Sequence, residues 1–212
     1  MMSEKEIKEA IKEANFKVTV VIPAYNAEDT IAAAIESVPK RDDVEIIIVD
    51  DGSTDKTDNV LMGIVRENAT VRTFGANRGV AAAVNAGLDL AWGEYVVLLG
   101  ADDDFYPEEF EKAMEQLDGT DLVYFDLRIN SGVIWHVDEQ TKQNLCGSVK
   151  FMRREFIGDL RNDETKRAGE DYDFYQKLLA KNPTEKFTGL VVKHYNFPRE
   201  GSLTDLSRKG EL

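Results

Sequence analysis

The sequence predicts an α/β protein with a mostly parallel central sheet, helices on both faces and a small mixed C-terminal part. Short β-branched apolar runs alternate with segments of about ten to fifteen residues that have helical spacing, which is the pattern of a parallel sheet. The apolar runs also end in acidic or turn-forming segments. Because ligands bind beyond the carboxyl ends of the strands in such sheets, these segments are candidates for a binding cleft.

The alternation of strands and helices is regular through the first half of the chain. Ile31 and Ile35 lie four residues apart and give one predicted helix an apolar face. Strands are predicted over residues 18–22, 45–49, 70–74 and 94–99, and helices over 27–38, 54–68 and 79–92. We therefore expect the strand ends at 23–26, 50–53 and 102–104 to converge on one cleft.

The second half of the chain is less regular after Pro107. The pattern predicts helices over 108–117 and 170–180, a strand over 122–125, and a mixed or looped stretch over 130–148. Before the sheet, Ile7 and Ile11 lie four apart among Glu and Lys, which predicts an amphipathic helix over 3–14. We expect a helical extension at 1–16, a single domain at 17–203 and a polar tail at 204–212.

Charge and composition exclude several classes of protein. The formal net charge is -14 at pH 7, and an acidic surface repels phosphate backbones, so we expect no nucleic-acid binding. The sequence has no apolar run long enough to cross a bilayer and no signal-peptide pattern at its start. Together with the single Cys146, this predicts a soluble, cytoplasmic protein. If the protein binds phosphate, a cation must supply the positive charge.

Asp102, Asp103 and Asp104 directly follow a predicted buried strand and form an acidic turn. Clustered carboxylates repel one another unless a cation, backbone donors or a shared proton stabilises them. Hard oxygen ligands suit Mg²⁺ or Mn²⁺, which commonly bridge one or two carboxylates to substrate phosphates. The alternative is a solvated acidic turn that caps the helix beginning near Pro107, because negative charge favours the first turn of a helix.

Other candidates in the first half have a structural interpretation beside a functional one. Tyr25 offers an aromatic face for a base, or simply leaves the strand with Pro23 and Asn26. Asp51 is in a strand-end turn of the residue types that turns prefer. Arg78 precedes a helix start, where anions bind well, or makes a surface ion pair.

Acidic residues and histidines of the second half complete the set of candidates. Glu170 and Asp171 open a predicted helix, where their charge is favourable. A carboxylate there that faces the cleft would act as a general base toward a hydroxyl. His136 and His194 are isolated, and His194 is a candidate metal ligand against a structural or solvent role.

An ordered set of segments closely resembles the family 2 glycosyltransferases, which have the GT-A fold with a Rossmann-like sheet. These segments are VIPAYN at 21–26, IVDDGSTD at 48–55, NRGVAAAVNAG at 77–87 and the acidic turn. The resemblance is strong over 17–107 and resumes at 169–172. It implies a nucleotide-binding part at 17–107 and an acceptor part at 108–203.

The resemblance implies a role for each matching residue. The donor-binding residues would be Pro23 and Tyr25 at the nucleobase, Asn26 beside them, Asp51 accepting from the base, Arg78 near the base or phosphates, and Glu170. Asp102 and Asp103 would contact the ribose and the metal, with Asp104 as a further ligand. Asp171 would be the general base of an inverting displacement at the anomeric carbon.

The implied activity is transfer of a hexosyl or N-acetylhexosaminyl group from a nucleotide-sugar to a hydroxyl of a glycan, lipid or protein. A UDP-sugar is the favoured donor, and Mn²⁺ or Mg²⁺ the cofactor. Two positions depart from the family pattern. Gly100 replaces the usual Asp, and 195–202 differs from the usual Arg and His before a Ser, with Lys193, His194 and Arg199 as substitutes.

Two alternatives to this activity remain open. The departures at Gly100 and 195–202 are compatible with a catalytically inactive member of the family that acts as a binding or scaffold protein. A nucleotidyltransferase also uses paired carboxylates and metals. That class usually begins with a Gly-rich, basic loop, and no such loop follows the first predicted strand.

Overall fold

A single sheet organises the computed structural model, which describes residues 15–64, 66–142, 149–166 and 168–198. The strands are β1 (Val18–Ala24), β2 (Val44–Asp50), β3 (Ala69–Thr73), β4 (Tyr95–Leu98), β5 (Asp104–Phe105), β6 (Leu122–Ile129), β7 (Ile134–Trp135), β8 (Lys150–Arg153) and β9 (Glu185–Tyr195). The helices are α1 (Ile31–Glu36), α2 (Thr57–Met62), α3 (Val80–Leu90), α4 (Pro107–Met114), α5 (Arg154–Ile157) and α6 (Glu170–Leu179). The predicted helix over 3–14 and the tail at 204–212 lie outside the described residues.

The strand order divides the sheet into a parallel half and a mixed half. In the parallel half, β3, β2, β1 and β4 are neighbours in that order and run parallel. In the mixed half, β8 is antiparallel to both β4 and β6, and β9 is parallel to β6. The short strands β5 and β7 pair antiparallel with β9 and β6. The predicted mostly parallel sheet with a mixed C-terminal part is confirmed.

Helices cover both faces of the sheet, because alternate residues of a strand point to opposite sides. On β1, Val20 and Ile22 face a cluster that includes α1, α2 and α4, whereas Val21 faces one that includes α3, α5 and α6. Gly87 allows α3 to pack closely on β1, since a Cβ at this position would lie 2.2 Å from Val21 Cγ1. Burial on both faces explains why these strands are continuous apolar runs.

Two predicted helices are shorter than their apolar spacing indicated. The helix predicted over 27–38 is observed as α1, and the helix predicted over 54–68 is observed as α2. The residues that precede each helix pair with one another: the Glu28 N–H donates to Asp55 Oδ2 at 3.2 Å, and the Lys56 N–H donates to Glu28 Oε2 at 2.9 Å. Such side-chain bonds to the backbone compete with helical ones, so both helices begin later than predicted.

The sequence pattern does not predict β8 or β9, because charged residues interrupt their apolar runs. On β9, Lys186 donates to the Gln116 carbonyl oxygen, and Lys193 is buried against Asp103. Gly189 has a φ of +66°, and the register between β6 and β9 shifts around it. A polar strand enters the sheet here because its lysines find partners inside the protein.

The sheet continues through the predicted boundary at residue 107. Strand β4 pairs with β8, and β5, which includes Asp104, pairs with β9. The acidic turn therefore connects β4 of the parallel half to β5 at the edge of the mixed half. The division into nucleotide-binding and acceptor parts stays a prediction. Across the described ranges, no helix has both the length and the hydropathy needed to span a bilayer.

Candidate functional site

Hydrogen bonds between two loops join the ends of β1 and β2. Asn26 adopts a left-handed φ of +49°, which asparagine tolerates better than most residues. Its N–H donates to Ser53 Oγ at 2.9 Å, and its Oδ1 accepts the Thr54 N–H at 2.8 Å. The preceding residue, Tyr25, is 47% exposed. The loop pairing thus fixes the backbone next to an aromatic side chain that faces solvent.

Asp51 connects the end of β2 to the start of α3. Its side chain is buried, and its two carboxylate oxygens accept the N–H groups of Arg78 and Gly79 at 2.7 and 2.8 Å. Hydrogen bonds to a charged acceptor are stronger than those between neutral groups. Asp51 therefore holds the Arg78 backbone in place. Its contact with a nucleobase stays a prediction.

The Arg78 side chain lies over an aromatic ring and beside a carboxylate. Its guanidinium carbon is 4.6 Å from the centre of the Phe74 ring, and Nη2 is 3.0 Å from Glu164 Oε2. Both charged side chains are well exposed, and exposed ion pairs contribute about 0–1 kcal/mol. A phosphate group would therefore compete with Glu164 for Arg78 at little cost.

A buried ion pair binds the acidic turn to β9. Asp103 Oδ2 is 2.7 Å from Lys193 Nζ, and both side chains are almost fully buried. Asp103 Oδ1 accepts the Asn196 N–H at 2.9 Å. Because these contacts already stabilise the carboxylate, a metal at Asp103 would require Lys193 to give up its ion pair. The role of Asp103 as a metal ligand stays a prediction.

Asp104 and His194 face each other across β5 and β9. His194 Nδ1 is 3.4 Å from Asp104 Oδ2, and Nε2 is 3.0 Å from Asn130 Oδ1. Both ring nitrogens are thus directed at protein oxygens. A metal bound by His194 would have to displace one of these contacts, and the metal roles of Asp104 and His194 also stay predictions.

Gly100 leaves space for the carboxylates of the acidic turn. A Cβ at position 100 would lie 2.8 Å from Asp103 Oδ2 and 3.0 Å from Asp102 Oδ1. An aspartate at this position would add a fourth carboxylate to the turn and would force a neighbouring carboxylate to move. Glycine therefore suits a turn in which Lys193 holds Asp103 in place.

The described residues do not form a complete metal site from protein ligands alone. Among them, no group of three or more His, Cys, Asp or Glu side chains is placed to hold an ion. The roles of Asp102 as a ribose contact and as a metal ligand stay predictions. One carboxylate fits Mg²⁺ or Mn²⁺ where substrate phosphates and water complete the coordination shell.

A cavity of about 200 Å³ is lined by residues from the ends of β1 and β4, from β8, and from the starts of α3 and α6. Most of the lining is apolar, and Pro23, Gly100, Glu170 and Asp171 all contribute to it. The structure thus brings together residues that are far apart in the sequence. Its described lining does not include the other predicted donor-site residues or the aspartates of the acidic turn, which are Tyr25, Asn26, Asp51, Arg78, Asp102, Asp103 and Asp104.

Glu170 and Asp171 open α6 at this cavity. Burial raises the pKa of the Glu170 carboxyl, and the charge of Asp171 adds to the increase. Asp171 Oδ1 accepts the N–H of Tyr172 at 2.7 Å, which orients the carboxylate at the helix N-terminus. A carboxylate fixed at the wall of a cavity is placed to accept a proton from a bound hydroxyl.

Lys150 and Asn162 also line the cavity and were not identified from the sequence. Lys150 on β8 is buried, and its Nζ is 4.4 Å from the centre of the Tyr175 ring. Its place beside the apolar pair Phe151 and Met152 is a weak sequence signal for a buried cation. Asn162 lies in a loop of irregular structure, where sequence pattern carries no comparable signal.

The sequence profile described as Glycosyl transferase family 2 matches residues 19–182. The succinoglycan biosynthesis protein ExoO of Rhizobium meliloti (strain 1021) is 29% identical, over 90% of this chain and 63% of its own length. Its counterpart ExoU from the same organism is 31% identical, over 77% of this chain and 57% of its own length. The chain thus spans less than two thirds of both relatives.

A third relative is covered more fully. The PGL/p-HBAD biosynthesis glycosyltransferase of Mycobacterium bovis (strain BCG / Pasteur 1173P2) is 30% identical, over 84% of this chain and 76% of its own length. Among solved structures, S. aureus TarS in complex with UDP-GlcNAc has a TM-score of 0.79 at 22% identity, over 89% of this chain and 61% of that chain. This likeness confirms the GT-A fold expected from the motif order.

Proposed function

We propose that this chain, which belongs to glycosyl transferase family 2, transfers a sugar from a nucleoside-diphosphate donor to a hydroxyl group of an acceptor. The observation that carries the proposal is the shared cavity, which joins Asp171 to Gly100 of the acidic-turn loop and to Pro23 at the end of β1. Transfer requires a base, a donor and an acceptor within reach of one another, and a site at the strand ends meets this requirement.

The donor is proposed to be a UDP-sugar. Tyr25 presents an exposed aromatic ring at the end of β1, and Asp51 fixes the start of α3, where Arg78 lies. The Asp51 N–H also donates to the carbonyl oxygen of Ala24, the residue before Tyr25, at 2.8 Å. An exposed ring at the same edge of the sheet as a helix N-terminus and a cation suits a base followed by phosphates. The similar TarS structure holds UDP-GlcNAc, which supports the choice of uridine nucleotide.

Asp171 is proposed to take the proton of the acceptor hydroxyl. The oxygen then attacks the anomeric carbon from the face opposite the diphosphate, the bond to the diphosphate breaks, and the configuration inverts. Glu170 carries a proton over a wider pH range than an exposed glutamate does, because its pKa is raised.

A divalent metal is proposed to be held by Asp102 and by the phosphates of the donor. When bound, Mg²⁺ or Mn²⁺ neutralises negative charge on a departing diphosphate. The chain itself supplies little positive charge for this purpose, given its net charge of -14. Arg78 is the cation that the family resemblance predicts near the base or phosphates, and it is engaged with Glu164.

A donor panel tests the proposed function. Purified protein is incubated with UDP-, GDP- and dTDP-sugars, with glycan and lipid acceptors, in Mn²⁺, Mg²⁺ or EDTA, and the released nucleotide is measured. We expect acceptor-dependent release from a UDP-sugar that EDTA abolishes. Binding of UDP without turnover of any donor would favour the inactive binding protein. Full turnover in EDTA would reject the metal and leave the transferase standing.

A further inference from the structure

A side-chain bridge joins α3 to the loop that precedes α6. Asn85 on α3 is buried, and its Nδ2 donates to the Asn162 carbonyl oxygen at 3.0 Å and to Glu164 Oε1 at 3.0 Å. Its Oδ1 accepts the Asn162 N–H at 2.8 Å and Asn162 Nδ2 at 3.2 Å. The amide nitrogen and the amide oxygen of Asn85 therefore both bond to one short loop, residues 162–164.

The bridge touches the candidate site at two points. Asn162 lines the cavity that Asp171 also lines. Glu164 accepts from Asn85 through Oε1 and from Arg78 through Oε2. The same loop is thus fixed by α3 on one side and reaches a predicted donor-binding cation on the other. Glu170 and Asp171 follow Glu164 six and seven residues later in the chain.

We infer that Asn85 is a positioning residue that sets the place of Asp171 through Asn162, and that Glu164 links this placement to Arg78. A buried, fully bonded polar network defines one geometry more sharply than apolar contacts do. A helix that only needed to cover the sheet would favour an apolar residue at this buried position. The inference rests on the proposed function, because it concerns the base of that reaction.

Asn85→Asp is the most informative variant, because it keeps the shape of the side chain and replaces the Nδ2 donor by an acceptor oxygen. Its carboxylate would face Glu164 Oε1 and the Asn162 carbonyl oxygen, and like-charged groups would push the loop away. Misplacement of a reacting group by about 1 Å costs roughly 100-fold in rate, so we expect a fall in kcat of that order. The Arg78–Glu164 pair is exposed and contributes about 0–1 kcal/mol, so the Kd for UDP should change by no more than about fivefold.

A second substitution makes the test specific to this contact. Adding Glu164→Gln to Asn85→Asp replaces a repelling carboxylate by an amide that can donate, so part of the kcat should return. Asn85→Ala suits a helix and adds no charge, and it serves if the aspartate variant does not fold. It should lower kcat without any rescue by Glu164→Gln.

The matched control is Asn68→Asp. Asn68 also donates from Nδ2 to a backbone carbonyl oxygen, that of Val44, at the opposite end of the strands from the cavity. The control should leave kcat unchanged. Equal losses of kcat in Asn85→Asp and Asn68→Asp, or no rescue by Glu164→Gln, would overturn the inference.

Amide hydrogen exchange separates this inference from the proposed function. Exchange over residues 161–166 should be faster in Asn85→Asp than in the wild type and unchanged in Asn68→Asp, whether or not a donor is turned over. Wild-type protein without transfer activity would defeat the proposed function alone. Unchanged exchange in Asn85→Asp would defeat the bridge alone.

Discussion

In the parallel half of the sheet, buried aspartates accept backbone and hydroxyl groups, whereas in the mixed half buried carboxylates face cations. Asp51 accepts the N–H groups of Arg78 and Gly79, and Asp50 accepts from Ser53. In the mixed half the charged pairs are buried Asp103 with Lys193, buried Asp121 with Arg153, and partly buried Glu185 with Lys142. Asp121 also accepts the Thr184 N–H, and Asp103 the Asn196 N–H. The mixed half therefore adds cations to the backbone donors on which the parallel half relies.

This difference predicts which substitutions the fold tolerates. A carboxylate bonded to N–H groups loses part of its contacts when it becomes an amide. A carboxylate paired with a buried cation becomes an uncompensated charge when the cation is removed, which is more costly. The acidic turn belongs to both halves, because it follows β4 and is bound to β9 through Lys193.

The largest effect is expected for Lys193→Met in the mixed half. It leaves the buried Asp103 carboxylate without its cation, and breaking a buried pair costs about 3–5 kcal/mol in free energy of unfolding. Urea unfolding measures this loss. Adding Asp103→Asn should restore much of it, since the double variant has no buried charge at this place. A loss that the second substitution does not reduce would contradict the account.

A smaller effect is expected for Asp51→Asn in the parallel half. Asparagine keeps one acceptor and turns an N–H donor toward the backbone N–H of Arg78 or Gly79, which should cost about 1–3 kcal/mol. Asp50→Asn is the matched control, because both bonds from Ser53 end on Asp50 Oδ1, which asparagine retains. If Asp51→Asn destabilised more than Lys193→Met, the two halves would not differ as described.

The smallest effect is expected for a substitution of Glu170, whose carboxyl has a raised pKa because it is partly buried. Its pKa lies above the ordinary 4.5, so the folded protein binds more protons than the unfolded chain between pH 4.5 and the raised value. The free energy of unfolding therefore falls as pH rises through this interval. Glu170→Gln removes that fall. The free energy of unfolding of the variant minus that of the wild type should therefore be more positive at pH 7 than at pH 5.

Urea unfolding at both pH values measures the difference for Glu170→Gln. The control is Glu108→Gln, which changes an exposed glutamate in the first turn of α4. The control should show the same stability difference from wild type at the two pH values. A pH dependence that Glu170→Gln leaves unchanged would argue against a raised pKa at this position.

The same contrast explains how much could be predicted from the sequence. The parallel half follows from residues such as Val20 and Ile48, because strands buried on both faces are continuous apolar runs. In the mixed half, Lys150 and Lys193 look like surface residues, since their burial depends on partners that are distant in sequence. The pairing of Asp103 with Lys193 is set by tertiary structure and has no local pattern.

For the candidate site too, the sequence predicted which segments belong together but not the contacts of their side chains. The motif order predicted that the strand ends and the Glu170–Asp171 pair belong to one site, and the cavity brings Pro23, Gly100 and Asp171 together. The contacts of individual residues were not predictable. Asp51 is bonded to backbone groups, and Asn85 reaches a loop more than seventy residues away in sequence. Motifs indicate where a site lies, whereas contacts across the sheet determine how each side chain is held.

The most direct test of the central claim compares Asp171→Asn with the wild type. The account predicts that UDP-sugar binding, measured by calorimetry, is retained while kcat for transfer falls roughly 100- to 10,000-fold, the usual contribution of a general base. Asp173→Asn on the same helix, which removes the partner of Lys166, should keep most of the activity. Wild-type kcat in Asp171→Asn would contradict the account.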